Sequence, residues 1–110
     1  MPDAYLVLFV ADPAHDGHAD ALRTAARGVH GAGFFDEPEG GEERTVGTYV
    51  RARELQDGLQ LLAAIARVSA ALEARIEVQH AEEVLGYLVA GRPDDALAAR
   101  LPPGDIPDPL

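Results

Sequence analysis

The apolar and polar positions of this chain change their period several times, which predicts alternating strands and helices. Residues 5–10 (YLVLFV) are apolar on both alternating faces, a pattern typical of a strand that is covered on both sides and lies inside its sheet. Asp12 and Pro13 follow in the order of a helix N-cap and a first helical residue. They predict an alanine-rich helix over about 13–27 that ends at Gly28.

The middle of the chain has the pattern of a β-hairpin. Strands are predicted over about 31–37 and 44–53, and the segment between them contains a proline and two glycines, which favour a reversal of the chain. The second of these strands alternates. One face therefore carries Val46, Thr48, Val50 and Ala52, and the other carries Thr45, Tyr49, Arg51 and Arg53.

The clearest helical pattern covers about 54–73, where large apolar residues recur every three or four positions. They form one stripe, made of Leu55, Leu59, Leu62, Ile65, Val68 and Leu72. Residues 75–80 (RIEVQH) then alternate between apolar and polar, which predicts a short strand.

Helical spacing returns from Ala81 onward. Glu82 and Glu83 fall in the predicted first turn, where carboxylates interact favourably with the helix dipole. A stripe of valine and leucine continues to Gly91, where we expect the helix to end. A last short helix is predicted to reach about Leu101.

The predicted order is β-α-β-β-α-β with short C-terminal helices. Two β-α-β halves that meet at a hairpin predict an α+β, ferredoxin-like fold, with an antiparallel sheet in the order 4-1-3-2 and the helices on one face. We expect one domain over residues 1–101 and a proline-rich tail over 102–110, either an extended arm or an unstructured end. Apolar side chains beside Tyr49 should lie on the open sheet face, covered by the C-terminal helices, a second copy of the chain or a ligand.

The net charge of the chain limits the kinds of molecule that it is expected to bind. The 110 residues include 19 acids against nine basic residues, all of them arginine, for a net charge of −10. This balance argues against nucleic acids and anionic membranes, because affinity for phosphates rests on lysine and arginine. The chain has no cysteine, no basic leader and no apolar run of the length that a membrane span needs, so we expect a cytoplasmic protein.

Five carboxylates crowd the predicted hairpin tip. The simpler interpretation is that they keep the hairpin soluble and discourage pairing at the sheet edge. The functional interpretation is that they bind a basic protein surface and steer its association. The residues concerned are Asp36, Glu37, Glu39, Glu42 and Glu43.

Histidines offer two further hypotheses. His15 and His18 are three positions apart, so one helical face could present both to a metal, although a zinc site needs a third protein ligand. The simpler interpretation places them in a solvated first helical turn. His30 and His80 are predicted at the opposite end of the sheet, where a histidine beside a carboxylate in a cleft is a credible general base.

Tyr49 and Arg51 share one face of the third strand, and a tyrosine beside arginine fork donors could bind a small carboxylate or an acidic partner. A half-exposed sheet face with Arg51 paired to a nearby acid is the structural alternative. A possible pocket would therefore combine Tyr49, Arg51, His80 and His30.

Two functions remain open at this point. The first is a small, non-enzymatic, inhibitor-like or immunity-like protein that binds a basic protein through its acidic hairpin. The alternative is a dimer formed through the open sheet faces, which encloses an apolar cavity and acts as a cofactor-free oxygenase or isomerase or binds a small ligand. No cofactor and no catalytic residue is predicted in either case.

Overall fold

The computed structural model describes residues 4–38 and 44–101. They form a six-stranded antiparallel sheet with three α-helices. The strands lie side by side in the order β2-β3-β1-β4-β5-β6. In chain order the elements are β1 Tyr5–Val10, α1 Asp16–Arg27, β2 Gly33–Pro38, β3 Arg44–Arg51, a 3-10 turn Leu55–Gly58, α2 Leu59–Leu72, β4 Arg75–His80, β5 Glu83–Val89, β6 Arg92–Pro93 and α3 Asp95–Arg100.

Strand β1 lies inside the sheet, as its apolar sequence predicts, because it pairs with β3 on one side and β4 on the other. Its alternate residues enter the core. Leu8 is directly opposite Thr48 of β3 and Val78 of β4, and all three side chains are fully buried. The core between the sheet and the helices also contains Leu22 of α1, and Leu61, Leu62 and Ile65 of α2.

The predicted start of the first helix at Asp12 and Pro13 is wrong. Helix α1 begins at Asp16, and its N-cap is His15 in an extended conformation. The Nδ1 atom of His15 accepts a hydrogen bond from the backbone N–H of Gly17, at 3.1 Å. A histidine side chain therefore provides the capping that aspartate, serine or threonine usually supplies.

The predicted helix over 81–91 is also wrong, since this segment forms strand β5. Gly86, in the middle of the segment, weakens a helix but suits a strand on which another element lies close. Its backbone has φ +149°, and a Cβ there would come within 2.5 Å of Asp94 Oδ1. A β-bulge near Leu85 shifts the alternation of the strand by one residue. The valines and leucines on its two faces therefore recur at intervals that resemble those of a helix.

The additional strands change the architecture that the sequence predicts. The α+β class is confirmed, and strands β2, β3, β1 and β4 are adjacent in that order. The predicted four-stranded sheet is matched only in part, because β5 and β6 extend the sheet beyond β4. A short C-terminal helix is present as α3.

Helix α3 packs on the same face of the sheet as α1 and α2. Gly86 lies directly opposite the buried Val78, so its missing side chain faces the core. That space is occupied by Asp94 and by Leu97, which is fully buried. All three helices of the described residues therefore lie on one side, and within residues 4–38 and 44–101 no helix covers the other sheet face.

We expect Gly86→Ala to destabilise the protein by about 2–4 kcal/mol, because it combines a steric overlap with a backbone conformation that favours glycine. The measurement is chemical denaturation followed by circular dichroism. Gly28→Ala is the matched control, since its φ is −82° and its new Cβ would have no neighbour closer than 3.5 Å. Equal stability of the two variants would contradict the close packing of α3 on β5.

Candidate functional site

The open sheet face carries the side chains that point away from the helices. Val7 of β1 is directly opposite Tyr49 of β3 and Gln79 of β4, so these three side chains share this face. The same pairing places there Tyr5, Phe9, Gly33, Phe35, Glu37, Thr45, Gly47, Arg51, Arg75, Glu77, Val84, Tyr87, Val89 and Arg92. We call this set the open face.

Two glycines allow the aromatic side chains of the open face to lie against the sheet. A Cβ on Gly33 would overlap the ring of Tyr49. A Cβ on Gly47 would come within 2.5 Å of the Phe35 ring and within 2.6 Å of Phe9. Aromatic rings thus cover the bare backbone of two strand glycines, an arrangement known to stabilise glycine in sheets.

The rings of Tyr5, Phe35 and Tyr49 form an aromatic platform over strands β1, β3 and β2. The ring centroids of Tyr5 and Tyr49 are 6.1 Å apart in an edge-to-face arrangement. Those of Phe35 and Tyr49 are 6.4 Å apart with an angle of 31° between the ring planes. Both distances fall in the range of favourable aromatic pairs. Tyr5 and Tyr49 nevertheless remain 43% and 39% exposed.

A groove of about 590 Å³ runs along this platform. Its volume lies in the range of about 300–1,000 Å³ that small-molecule sites occupy. The polar side chains at its edge are Gln79 and Glu82. The remaining lining residues are Ala4, Tyr5, Val7, Phe35, Tyr49 and Ala81.

The turn between β4 and β5 forms one end of the groove. Its two central residues, Ala81 and Glu82, have φ of 52° and 70°. A turn of this kind usually contains asparagine and glycine, because other residues are strained in the left-handed region. Strained backbone concentrates at functional sites, and here it holds Glu82 at the groove.

A polar network occupies the other half of the open face. The carboxylate of Glu77 accepts hydrogen bonds from the Gln79 amide and from the Tyr87 hydroxyl, the latter at 3.1 Å. The guanidinium of Arg75 lies 4.3 Å from the centre of the Tyr87 ring. Tyr87 is therefore held by its neighbours on both sides, whereas Tyr49 presents its ring to the groove.

The residues of the predicted pocket do not lie together, because they are on different sides of the sheet or outside it. Tyr49 lines the groove, and Arg51 lies on the same face, directly opposite Tyr5. His80 is opposite Leu6 and so points to the helix side, where its Nε2 atom is 2.7 Å from the carbonyl oxygen of Ala52. His30 is exposed in the connection after α1.

The groove residues that sequence reasoning missed are Phe35, Gln79 and Glu82. Phe35 and Gln79 occupy outward positions of β2 and β4, and a strict alternation count would have grouped them with Tyr49. Glu82 was not predicted as a groove residue because the sequence of its segment resembles that of a helix. Its place follows only from the β4–β5 pairing.

The acidic hairpin is described only at its base. Glu39, Glu42 and Glu43 lie outside the described residues. Glu37 is exposed on the open face. Asp36 points to the opposite side, where both its oxygens accept hydrogen bonds from Arg44, at 2.8 and 2.7 Å.

Arg44 connects the hairpin to α1. Its remaining terminal nitrogen donates to Asp16 at 2.7 Å, so one guanidinium joins the C-terminal half of β2 to the first residue of the helix. The two acids raise the pKa of Arg44, and the hydrogen bonds from Arg44 lower the pKa of Asp36. Asp36 thus makes an internal contact, and its carboxylate is already bound.

His15 and His18 form a helix cap. Their rings stack with centroids 3.7 Å apart, and the Nδ1 atom of His18 accepts from the backbone N–H of His15 at 3.3 Å. Burial, and then the proximity of His15, lower the pKa of His18. Within residues 4–38 and 44–101, no group of three or more histidine, aspartate or glutamate side chains is placed to hold a metal.

Comparison with protein-family models, with curated proteins and with solved structures finds no match. In the part of the chain that the structure describes, no helix has the length and apolar character needed to cross a membrane.

The Asp36–Arg44 ion pair predicts a pH dependence of stability. Because the folded protein lowers the pKa of Asp36, the ion pair stabilises the fold above the ordinary pKa of aspartate, which is about 4. This contribution is lost as the pH falls through the lowered value. The difference in unfolding free energy between the wild type and Asp36→Asn should therefore shrink as the pH is lowered below about 4.

Urea denaturation at a series of pH values measures this difference. Asp20→Asn is the control, since Asp20 is exposed and contacts Arg23 of its own helix at 3.3 Å. It reports the effect of removing one surface charge. A wild-type advantage over Asp36→Asn that grows on acidification would contradict the assigned direction.

Proposed function

We propose that this protein binds a small planar aromatic molecule in the groove of the open face. The observation that supports the proposal best is the groove of about 590 Å³ on the platform of Tyr5, Phe35 and Tyr49. Exposed aromatic rings in a groove of this size favour a ligand that stacks or packs edge-on against them.

The polar side chains at the edge of the groove indicate which functional groups the ligand should carry. The carboxylate of Glu82 accepts hydrogen bonds, and Gln79 already donates to Glu77. A ligand with an apolar ring and one donor group, such as a phenol or an arylamine, matches this arrangement. The strained turn at Ala81 and Glu82 supports this assignment, because it holds an acid beside an apolar surface.

Binding is a better interpretation than histidine-based catalysis. The enzyme hypothesis needed a histidine in the wall of the cavity. His80 faces the helices and is in contact with the Ala52 carbonyl oxygen, and His30 is exposed beyond α1. The groove therefore has aromatic rings and a carboxylate, and neither of these histidines lines it.

The hypothesis of a basic protein partner at the acidic hairpin stays a prediction. Of its five acids, Asp36 is bound by Arg44, and Glu37 belongs to the open face. The other three lie outside the described residues. The geometry of the described part of the chain therefore favours the groove over the acidic hairpin as the binding site.

We also interpret strands β1 to β4 with α1 and α2 as a ferredoxin-like unit that β5, β6 and α3 extend. The adjacency of β2, β3, β1 and β4 supports this interpretation, as does the packing of α1 against α2. The extension is relevant to the function because the β4–β5 turn supplies Glu82 to the groove.

The ligand proposal is tested with N-phenyl-1-naphthylamine, a neutral aromatic dye whose fluorescence rises in apolar sites. We expect the wild-type protein to bind the dye and Tyr49→Ala to bind it about tenfold more weakly, since one aromatic contact is removed. Fluorescence titration measures both dissociation constants.

Tyr87→Ala is the matched control. It removes a tyrosine from the same sheet face, but one that is engaged by Glu77 and Arg75 and does not line the groove. We expect its affinity for the dye to equal that of the wild type. Absence of dye binding, or an equal loss in both variants, would overturn the proposal.

A further inference from the structure

We propose that the open face is the contact surface between two copies of this chain. The helices α1, α2 and α3 all pack on the opposite face, so the described C-terminal helix does not cover it. Three properties of the described residues identify a second copy as the occupant: the distribution of charge, the position of exposed apolar side chains and the area of the face.

The charge of the open face differs from that of the whole chain. The complete sequence has a net charge of −10. The described open face, with Glu82 at its edge, has a net charge of zero, because three acids are matched by three arginines. These are Glu37, Glu77 and Glu82, and Arg51, Arg75 and Arg92.

This balance makes the open face self-complementary. Two copies of a strongly acidic protein repel each other across most orientations. A face with equal numbers of acids and bases avoids that repulsion, and a two-fold axis lets an acid of one copy approach a base of the other. A basic partner would instead be attracted to the acidic remainder of the surface.

Exposed apolar side chains concentrate on the same face. Among the described residues, five large apolar or aromatic side chains are strongly exposed, and four of them belong to the open face. These four are Tyr5, Tyr49, Val84 and Val89, which are 43%, 39%, 51% and 49% exposed. The fifth is Leu72, at the end of α2. They form two groups, Tyr5 with Tyr49 and Val84 with Val89, on either side of the polar side chains of β4. Exposed apolar groups beside polar ones on one face are typical of an interface.

The area of the face is sufficient for a dimer. Strands lie about 4.8 Å apart and rise about 3.3 Å per residue, so the five longer strands give a face of roughly 24 by 20 Å. Burial of this face on two copies removes roughly 1,000 Å² from water, which reaches the lower limit for a specific interface. The dimer is therefore expected to be of moderate affinity and to depend on concentration.

Dimerisation is independent of the ligand proposal, although both concern the open face. In a dimer of this kind, the open face of one copy would cover the groove of the other and enclose it. The interface itself needs only the apolar centre and the balanced charges. The two proposals can therefore fail separately: dimerisation is measured without dye, and dye binding is measured in the groove variants.

The test is sedimentation equilibrium of the full chain, from micromolar to millimolar concentration and at low and high sodium chloride. We expect a monomer–dimer equilibrium whose dissociation constant falls as salt is added, because salt screens the repulsion between two chains of −10. A monomer at every concentration and salt level would overturn the proposal.

Val7→Glu places an acid at the centre of the face and should raise the dissociation constant by about a hundredfold or more. Leu72→Glu is the matched control, because it makes the same kind of change at an exposed apolar residue outside the face. Thermal unfolding of both variants establishes that they are folded. An unchanged dimer in folded Val7→Glu, or equal weakening by both variants, would exclude the open face as the interface.

Discussion

The structure depends on the alternation of strand β1, which divides the molecule into two sides. Leu6, Leu8 and Val10 enter the helix-covered core, while Tyr5, Val7 and Phe9 point to the open face. Because β1 pairs with β3 and β4, its alternation also sets which residues of those strands are buried. A shift of one residue in this register would exchange the two faces.

Glycine residues determine the shape of the open face as much as aromatic residues do. Gly33 and Gly47 leave room for Tyr49 and Phe35 to lie against the backbone. On the opposite face, Gly86 performs a similar task for α3, which approaches β5 closely at that position. Both sides of the sheet therefore use missing side chains to bring another group close, and the aromatic platform follows from this close approach.

The errors of sequence reasoning have physical causes that differ from one element to another. The segment from Ala81 has helical spacing, but a β-bulge and Gly86 make it a strand beside β4. At the start of α1, His15 takes the N-cap that Asp12 was expected to provide. Tyr49 could be placed on an outward face from alternation alone. Alternation also groups His80 with Ile76 and Val78, and the register between β1 and β4 shows that this side faces the helices.

The amino-acid sequence by itself determined the α+β class, strands β1 to β4, helices α1 and α2 to within a few residues of their starts, and the excess of negative charge. These properties follow from local periodicity and composition. The tertiary structure decided the extension of the sheet by β5 and β6, the placement of α3 on the same face as α1 and α2, and the groove beside Glu82. Such features depend on contacts between distant segments, whose energies no local pattern contains.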